Sequence, residues 1–250
     1  MQTPDHTSGA PDTSWLATAE RTSFSSLTAD TEAEVVVVGA GLAGLTTAYL
    51  LAKEGRRVVL LEDGEILSGE TGRTTAHLSN ALDDRYYHLE KLFGKDGARL
   101  AAQSHGAAID RIEAIAQAEN IRCDFSRLDG YLFLPADGDE KELADELEAA
   151  HRAGLTGVEK LADAGVQGFR SGPCLRFPNQ GQFHPVRYAV GLARAIEQGG
   201  GRIFTHTRVK EVHSGSHTRV VTDGGQEVRA KHIVVATNTP FNDLVVMHTK

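Results

Sequence analysis

The sequence predicts an α/β protein built on a parallel sheet, with a helix-rich α+β segment inserted into it. Three observations carry this. Four valines, Val35–Val38, precede a glycine cluster, a helix-spaced stretch and a second apolar run, Val58–Leu61. A third apolar run, Ile233–Ala236, comes late in the chain. The long stretch between the second and third runs reads as helices and strands of a different, more charged character. Short continuous apolar runs of this kind suit strands buried on both faces.

Residues 1–32 are rich in Thr, Ser, Pro, Asp and Ala without periodicity, which predicts a flexible N-terminal arm with Trp15 and Leu16 as its docking residues. Val35–Val38 is the first strand, ended by Gly39. From Leu42 to Glu54 the residues Leu42, Leu45, Tyr49 and Ala52 recur at helical spacing, and Gly55 is placed to stop the helix. Val58–Leu61 is the second strand, so strand, helix and strand form a right-handed βαβ unit. From Tyr87 to about Asn120 the spacing of Leu89, Leu92, Leu100, Ala108, Ile109, Ile112 and Ile115 predicts a helix with one buried face. "GYLFLP" (130–135) reads as a strand, and "DEKELADELEAAHRA" (139–153) as a solvated amphipathic helix. His184-Pro185 opens a further helix, with proline in its first turn. "RIFTHTRVKEVHSG", "HTRVVTDGG" and "QEVRAKHIVVAT" read as three strand-like segments, with Gly224-Gly225 as a hairpin turn between the last two. The last of these ends in a run of buried parallel-strand type.

Composition narrows the function classes. The 250 residues include 26 Lys and Arg against 34 Asp and Glu, a net charge of −8, and no long basic run. That excludes a nucleic-acid surface or an anionic-membrane surface as the expected partner. Cys123 and Cys174 are the only cysteines and form no CxxC or CxH pair, so neither a structural zinc nor an iron–sulfur ligand set is expected. Two free thiols and the absence of an apolar leader or membrane-spanning run predict a cytoplasmic location.

Gly39-Ala40-Gly41-Leu42-Ala43-Gly44 is GxGxxG between a predicted strand and a predicted helix. Glu62, followed by Asp63, closes the next strand. This context predicts a Rossmann-like dinucleotide site. Gly39 permits the tight turn, Gly41 the approach of a pyrophosphate to the backbone, and Gly44 close packing of helix on sheet, with the helix N-terminus facing the phosphates. Glu62 accepts from ribose hydroxyls and disfavours a 2′-phosphate.

GxGxxG does not choose between NAD and FAD. "GETGRTTAHLSN" (69–80) adds a second donor set, Arg73 with the Thr74 and Thr75 hydroxyls, ahead of an expected helical start. Such a set suits an elongated, retained cofactor, FAD, better than an exchangeable nicotinamide. An NAD-dependent dehydrogenase and a non-catalytic nucleotide-binding module remain as alternatives.

"VVVVGAGLAGLTTAYLL", "LLEDGEILSGETGRTTAHLS", "FHPVRYAVGLARAI", "THTRVKEV" and "IVVATNTP" resemble the FAD-dependent oxidoreductases of the D-amino-acid oxidase and glycine oxidase type. "TGRTTAHLS" and "FPNQGQFHPVRYAVGLARAI" resemble, within it, the subgroup whose flavin domain is commonly followed by a Rieske domain. The resemblance implies a GR2-type FAD-binding domain with an inserted substrate-domain segment. The boundaries it implies are 33–84 for the βαβ unit and second flavin loop, 85–200 for the inserted segment and 201–250 for the return. Gly39, Gly41, Leu42, Ala43 and Gly44 would hold the pyrophosphate, and Glu62 and Asp63 the adenosine ribose. Arg73, Thr74, Thr75 and Ala76 would run towards the flavin, Val209 would offer its backbone to adenine, and Ala236 and Thr237 would line the cofactor.

The implied reaction is hydride transfer from the C–H bond beside an amine or amino-acid nitrogen to flavin N5, with oxygen, a quinone or an iron–sulfur partner as acceptor. No general base is assigned among His77, His88, His184 and His206. Family members continue beyond the "VVATNTP" strand, so the chain reads as the N-terminal part of a longer protein.

Overall fold

The computed structural model describes residues 13–238 except 21, 136 and 216; the expectations for residues 1–12 and for those after 238 lie outside the described residues. Along the chain the elements are α1 (Ser14–Ala17), β1 (Thr31–Glu32), β2 (Val35–Val38), α2 (Leu42–Lys53), β3 (Val58–Leu61), a 3-10 turn (Glu70–Arg73), β4 (His77–Leu78), α3 (Tyr86–Ala118), β5 (Ser126–Phe133), α4 (Glu140–Arg152), β6 (Glu159–Leu161), β7 (Cys174–Gln182), α5 (Pro185–Gln198), β8 (Arg202–Phe204), β9 (Val209–His213), β10 (Arg219–Thr222), β11 (Glu227–Arg229) and β12 (His232–Val235). They divide into two compact units, one of residues 1–75 and 184–250, the other of 76–183. This division differs from boundaries at 84/85 and 200/201: β4 pairs with β7 of the second unit, and α5 packs with α2 of the first.

The first unit holds a four-stranded sheet in the order β12-β2-β3-β8, with every pair parallel. A second sheet has the order β1-β11-β10-β9. Side chains alternate along a strand. Val36, Val38, Val59 and Leu61 therefore share one face, where they join Leu27, Ala33, Val209, Val220 and Val228 of the second sheet's layer in a buried core. The helices α2 and α5 pack on each other and on the parallel sheet. Gly55 takes φ 78° just past the end of α2, as its stop position requires.

Three expectations change here. β12 is the edge of the parallel sheet, and Val235 is 51% exposed, so its apolar run is only partly buried. "RIFTHTRVKEVHSG" is two strands in different sheets, because the chain turns at Thr205–Arg208, where Thr205 and Thr207 are buried. Their hydroxyls bind the Phe24 carbonyl (2.7 Å) and the Leu27 N–H (3.0 Å). Those bonds anchor part of what composition alone presents as a flexible arm. Leu27 is itself in the core.

In the second unit β4, β5 and β6 all pair antiparallel with the long strand β7. Neither β6 nor β7 was anticipated. Helix α3 is broken at Gly94 (φ 72°, ψ 172°). Past the break Ala98, Ala102, Ile109 and Ile115 are buried, while Leu100, nine residues and so half a turn round the helix from Ile109, is exposed, as is Leu92 before the break. Small alanines at 98 and 102 face the core with Leu143, Ala149 and Ala150 of α4.

The solvated helix α4 also carries an unexpected buried acid. Glu146 is 1% exposed, and its Oε2 accepts from the Tyr87 N–H (3.3 Å) in the first turn of α3. That N–H has no partner within its own helix, so the carboxyl acts as a cap supplied from another element. Burial pushes Glu146 up to about 7, against the opposing pull of the Tyr87 and Tyr86 amides. The folded state thus holds a proton that the unfolded chain releases near 4.5, and stability from this group is lost as pH rises towards 7. Glu146→Gln keeps an acceptor and cannot ionise. It should stabilise the protein at pH 8 by about 1–3 kcal/mol more than at pH 5, read from denaturant titrations at both pH values.

Candidate functional site

The three glycines of residues 39–44 are required for different reasons. Gly39 has φ 103°, and a Cβ there would stand 2.8 Å from the Ala236 carbonyl oxygen. A Cβ on Gly44 would lie 1.9 Å from the Gly39 carbonyl oxygen. Fold geometry alone therefore demands glycine at both. Gly41 is different: its φ is −76°, and the nearest atom to an added Cβ is Thr71 Oγ1 at 3.4 Å, an ordinary contact. Nothing within the described protein calls for glycine there, whereas close approach of a ligand to the backbone does.

Gly41 is the N-cap of α2, which has no side-chain cap from that residue and no acid in its first turn. The positive end of the helix is left for an anion. The Thr71 hydroxyl accepts from the Leu42 N–H at 3.4 Å. This links the second loop to the first, and Thr71 carries no sequence signal of its own because its partner lies 29 residues away. Ala43, in the first turn, is exposed.

Glu62 Oε2 accepts from the Ala40 N–H (2.5 Å), and Oε1 from the Gly64 N–H (3.3 Å). Burial, and then a hydrogen bond with the Asp63 carboxyl, push Glu62 up to about 7, while the Ala40 and Gly64 amides pull it down. Asp63 itself is exposed. The segment after β8 runs alongside, with the Thr207 N–H on the Glu62 carbonyl (2.8 Å) and the His206 N–H on the Gly64 carbonyl (3.1 Å). Val209, two residues on, is buried in the core between the sheets. Ala236 and Thr237 end β12 against Gly39, with the Ala236 N–H on the Val38 carbonyl (2.8 Å). The structure thus brings the glycine loop, Glu62, Thr71, Ala236 and Thr237 to one end of the parallel strands, where open α/β sheets bind ligands.

The rest of the second loop is arranged otherwise than its sequence suggests. Arg73 ends the 3-10 turn, and its Nη1 donates to the Ser68 (2.6 Å) and Gly69 (2.8 Å) carbonyls, so the guanidinium braces its own loop. The Thr74 carbonyl accepts from Trp15 Nε1 (2.8 Å), and Thr75 is exposed. The expected helical start is instead β4, entered through Ala76 at φ 63°. In the second unit Gln180, buried on β7, accepts from the Asn80 N–H (2.7 Å) and the Ser79 hydroxyl (2.9 Å).

The unassigned histidines have separate settings. His184 caps α5, its Nδ1 accepting from the Arg187 N–H (3.3 Å), and His206 lies 2.9 Å from Glu65. The His88 ring lies tilted against Tyr87, with centroids 4.2 Å apart, and His77 is an exposed residue of β4.

Residues 34–248 match the family of FAD dependent oxidoreductases named DAO. The chain belongs to this family. Membership decides for FAD over the nicotinamide alternative. The chain is 34% identical over 234 residues to the Rieske 2Fe-2S iron-sulfur protein YhfW of Bacillus subtilis (strain 168), covering 94% of this chain and 46% of that protein. It is 31% identical over 227 residues to gamma-glutamylputrescine oxidoreductase of Escherichia coli (strain K12), covering 89% and 53%. Glycine oxidase from Geobacillus kaustophilus superposes with a TM-score of 0.68 at 20% identity, over 82% of this chain and 55% of that one, which shows a shared fold. The chain spans about half the length of the curated relatives it matches. Among the described residues no helix is long and apolar enough to cross a membrane.

The glycine geometry separates fold from ligand. Gly44→Ala should fail to fold or melt at least about 5 °C lower, the scale of a clash costing 2 kcal/mol or more. Gly41→Ala should melt within about 2 °C of the parent, since it meets only an ordinary contact. Thermal unfolding of the two variants checks both.

Proposed function

We propose that this chain forms the FAD-binding part of an oxidoreductase that oxidises a small amine or amino acid. The observation that carries the reading is Gly41, a position where the fold tolerates a Cβ and a pyrophosphate does not. FAD would supply flavin N5 as the acceptor for hydride from the C–H bond beside the substrate nitrogen. The residues of this chain bind and orient it.

The N-terminus of α2 at Gly41, Leu42 and Ala43 would face the pyrophosphate, with Gly39 and Gly44 holding the turn. Glu62, with Asp63 beside it, would accept from the adenosine ribose, and Val209 would meet adenine through its backbone. Arg73 would shape the second loop through its bonds to Ser68 and Gly69, while Thr74, Thr75 and Ala76 would extend along the cofactor. Ala236 and Thr237 would line it from the end of β12.

The similarity to gamma-glutamylputrescine oxidoreductase and to glycine oxidase supports the substrate class. Oxygen, a quinone and an iron–sulfur partner all fit as electron acceptors, and the similarity to a Rieske protein favours the last. The two cysteines, both buried and free, support a cytoplasmic location.

FAD titration of the purified protein tests the reading. Uptake is expected, and Gly41→Ala should weaken it at least about tenfold, as loss of close backbone approach predicts. Failure of the parent to take up FAD would overturn it. Ribose hydroxyls donate, so they favour the ionised form of Glu62, which in the unliganded protein is protonated below about pH 7. Affinity should therefore fall as pH drops from 8 to 6, by up to about tenfold per pH unit below 7, and Glu62→Gln should bind more weakly at pH 8 with that slope removed. Equal slopes in parent and variant would remove Glu62 from the ribose site.

A further inference from the structure

The segment before β1 is bonded to the loop that follows Glu62. In helix α1 and at its N-cap, the Thr13 hydroxyl donates to the Gly72 carbonyl (2.7 Å), and Trp15 Nε1 donates to the Thr74 carbonyl (2.8 Å). Leu16 packs where a Cβ on Gly72 would come 3.4 Å from its Cδ2. The indole also meets the His184 ring edge-on, with centroids 5.0 Å apart. His184 in turn is fixed as a tautomer. Its Nδ1 accepts from the Arg187 N–H, so in the neutral ring the proton sits on Nε2 and is donated to Thr18 Oγ1 (3.0 Å), which passes its own to the Ser14 carbonyl (2.6 Å). Arg187 Nη2 closes the ring of contacts on the Thr18 carbonyl (3.2 Å). Thus α1 is held at one side by α5 and presents one N–H to the second loop.

The consequence follows from peptide geometry. No peptide bond among the described residues is cis. In a trans peptide the C=O and the next N–H point in opposite directions. Holding the Thr74 carbonyl against Trp15 therefore turns the Thr75 N–H to the opposite side of the loop, away from α1. Thr74 itself is extended (φ −70°, ψ 157°), and Thr75 after it is exposed. One side of the loop is spent on α1 and on the Arg73 brace, and the other offers donors.

We propose that Trp15 is the positioning residue of the second donor loop: its indole N–H sets the Thr74–Thr75 peptide so that Thr75 presents its donors to FAD. The assignment rests on the FAD reading above. It makes α1 part of the cofactor site by way of the second loop.

FAD affinity of Trp15→Phe tests it, since phenylalanine keeps an aromatic ring at the position that faces His184 and removes the N–H together with part of the ring, a loss of packing that the unliganded melting temperature reads separately. The expected result is an FAD dissociation constant raised about 3- to 10-fold, the scale of one lost hydrogen bond, with the unliganded melting temperature within about 2 °C of the parent. Equal affinity in parent and variant overturns the proposal and leaves the FAD reading standing. So does a drop in unliganded melting temperature of more than about 5 °C that accounts for the lost affinity, because Trp15 would then be a residue of the fold alone. A parent that takes up no FAD overturns the cofactor reading and this proposal together. Trp15 is the only tryptophan of the chain, so its emission in the parent is a second measurement that needs no variant. Strong quenching on FAD addition is expected, and unchanged emission at saturation overturns the proposal.

Discussion

The first unit depends on one close approach: the Cα of Gly44 against the carbonyl of Gly39, where an added Cβ would come within 1.9 Å of the oxygen. That contact brings the first turn of α2 back over the end of β2. It works only because Gly39 takes φ 103° beside the Ala236 carbonyl, a conformation and a space that both exclude a side chain. Three parallel strand ends meet around it. β2 supplies the turn, β3 delivers Glu62 to the Ala40 N–H, and β12 delivers Ala236 and Thr237. A shift at Gly44 would displace the helix N-terminus and the acidic acceptor together.

Around that contact the backbone polar groups sort by sign. The amides of Ala40 and Leu42 are met by the side chains of Glu62 and Thr71, while the carbonyls of Ser68, Gly69, Gly72 and Thr74 are met by Arg73, Thr13 and Trp15. Four carbonyls of the second loop are thus occupied by the protein's own donors. An acceptor-rich ligand gains from this, since carbonyl oxygens left facing it would repel phosphate. Glu62 is a partly buried acid whose own backbone donors, the Ala40 and Gly64 amides, are neutral. Its carboxyl, near 7, is ready to ionise when further donors arrive.

Local chemistry explains what was legible in the sequence. Val35–Val38 and Val58–Leu61 are apolar at every position because the parallel strands they form are covered on both faces, and the glycines between them declare a turn. Gly55 and Pro185 mark helix ends that depend on neighbours in sequence. The illegible features depend on distant partners. Val235 reads like Val38, yet β12 is an edge strand. Leu92 lies before the break at Gly94, and Leu100, past it, is nine residues and so half a turn round the helix from Ile109, which leaves both exposed. Glu146 sits in a charged repeat and is buried because α3 begins against it. In the site, Gly39, Gly41, Gly44 and Glu62 follow from spacing alone. Thr71 and Trp15 do not, because their roles come from hydrogen bonds across 29 and 59 residues.

The glycine motif gains information when its members are separated by cause. Two of three glycines would be needed by a turn that binds nothing, since Gly39 and Gly44 satisfy each other and Ala236. A GxGxxG pattern read only as strand, turn and helix therefore argues for a fold more than for a ligand. Gly41 breaks the tie because its backbone is ordinary and its surroundings are open except for Thr71. Glycine there leaves the helix N-terminus open, the room that the proposed pyrophosphate would need. The Glu62 carboxylate stands beside that position, on the Ala40 N–H, and the second loop, braced by Arg73 and held by Trp15, reaches the same helix N-terminus through Thr71.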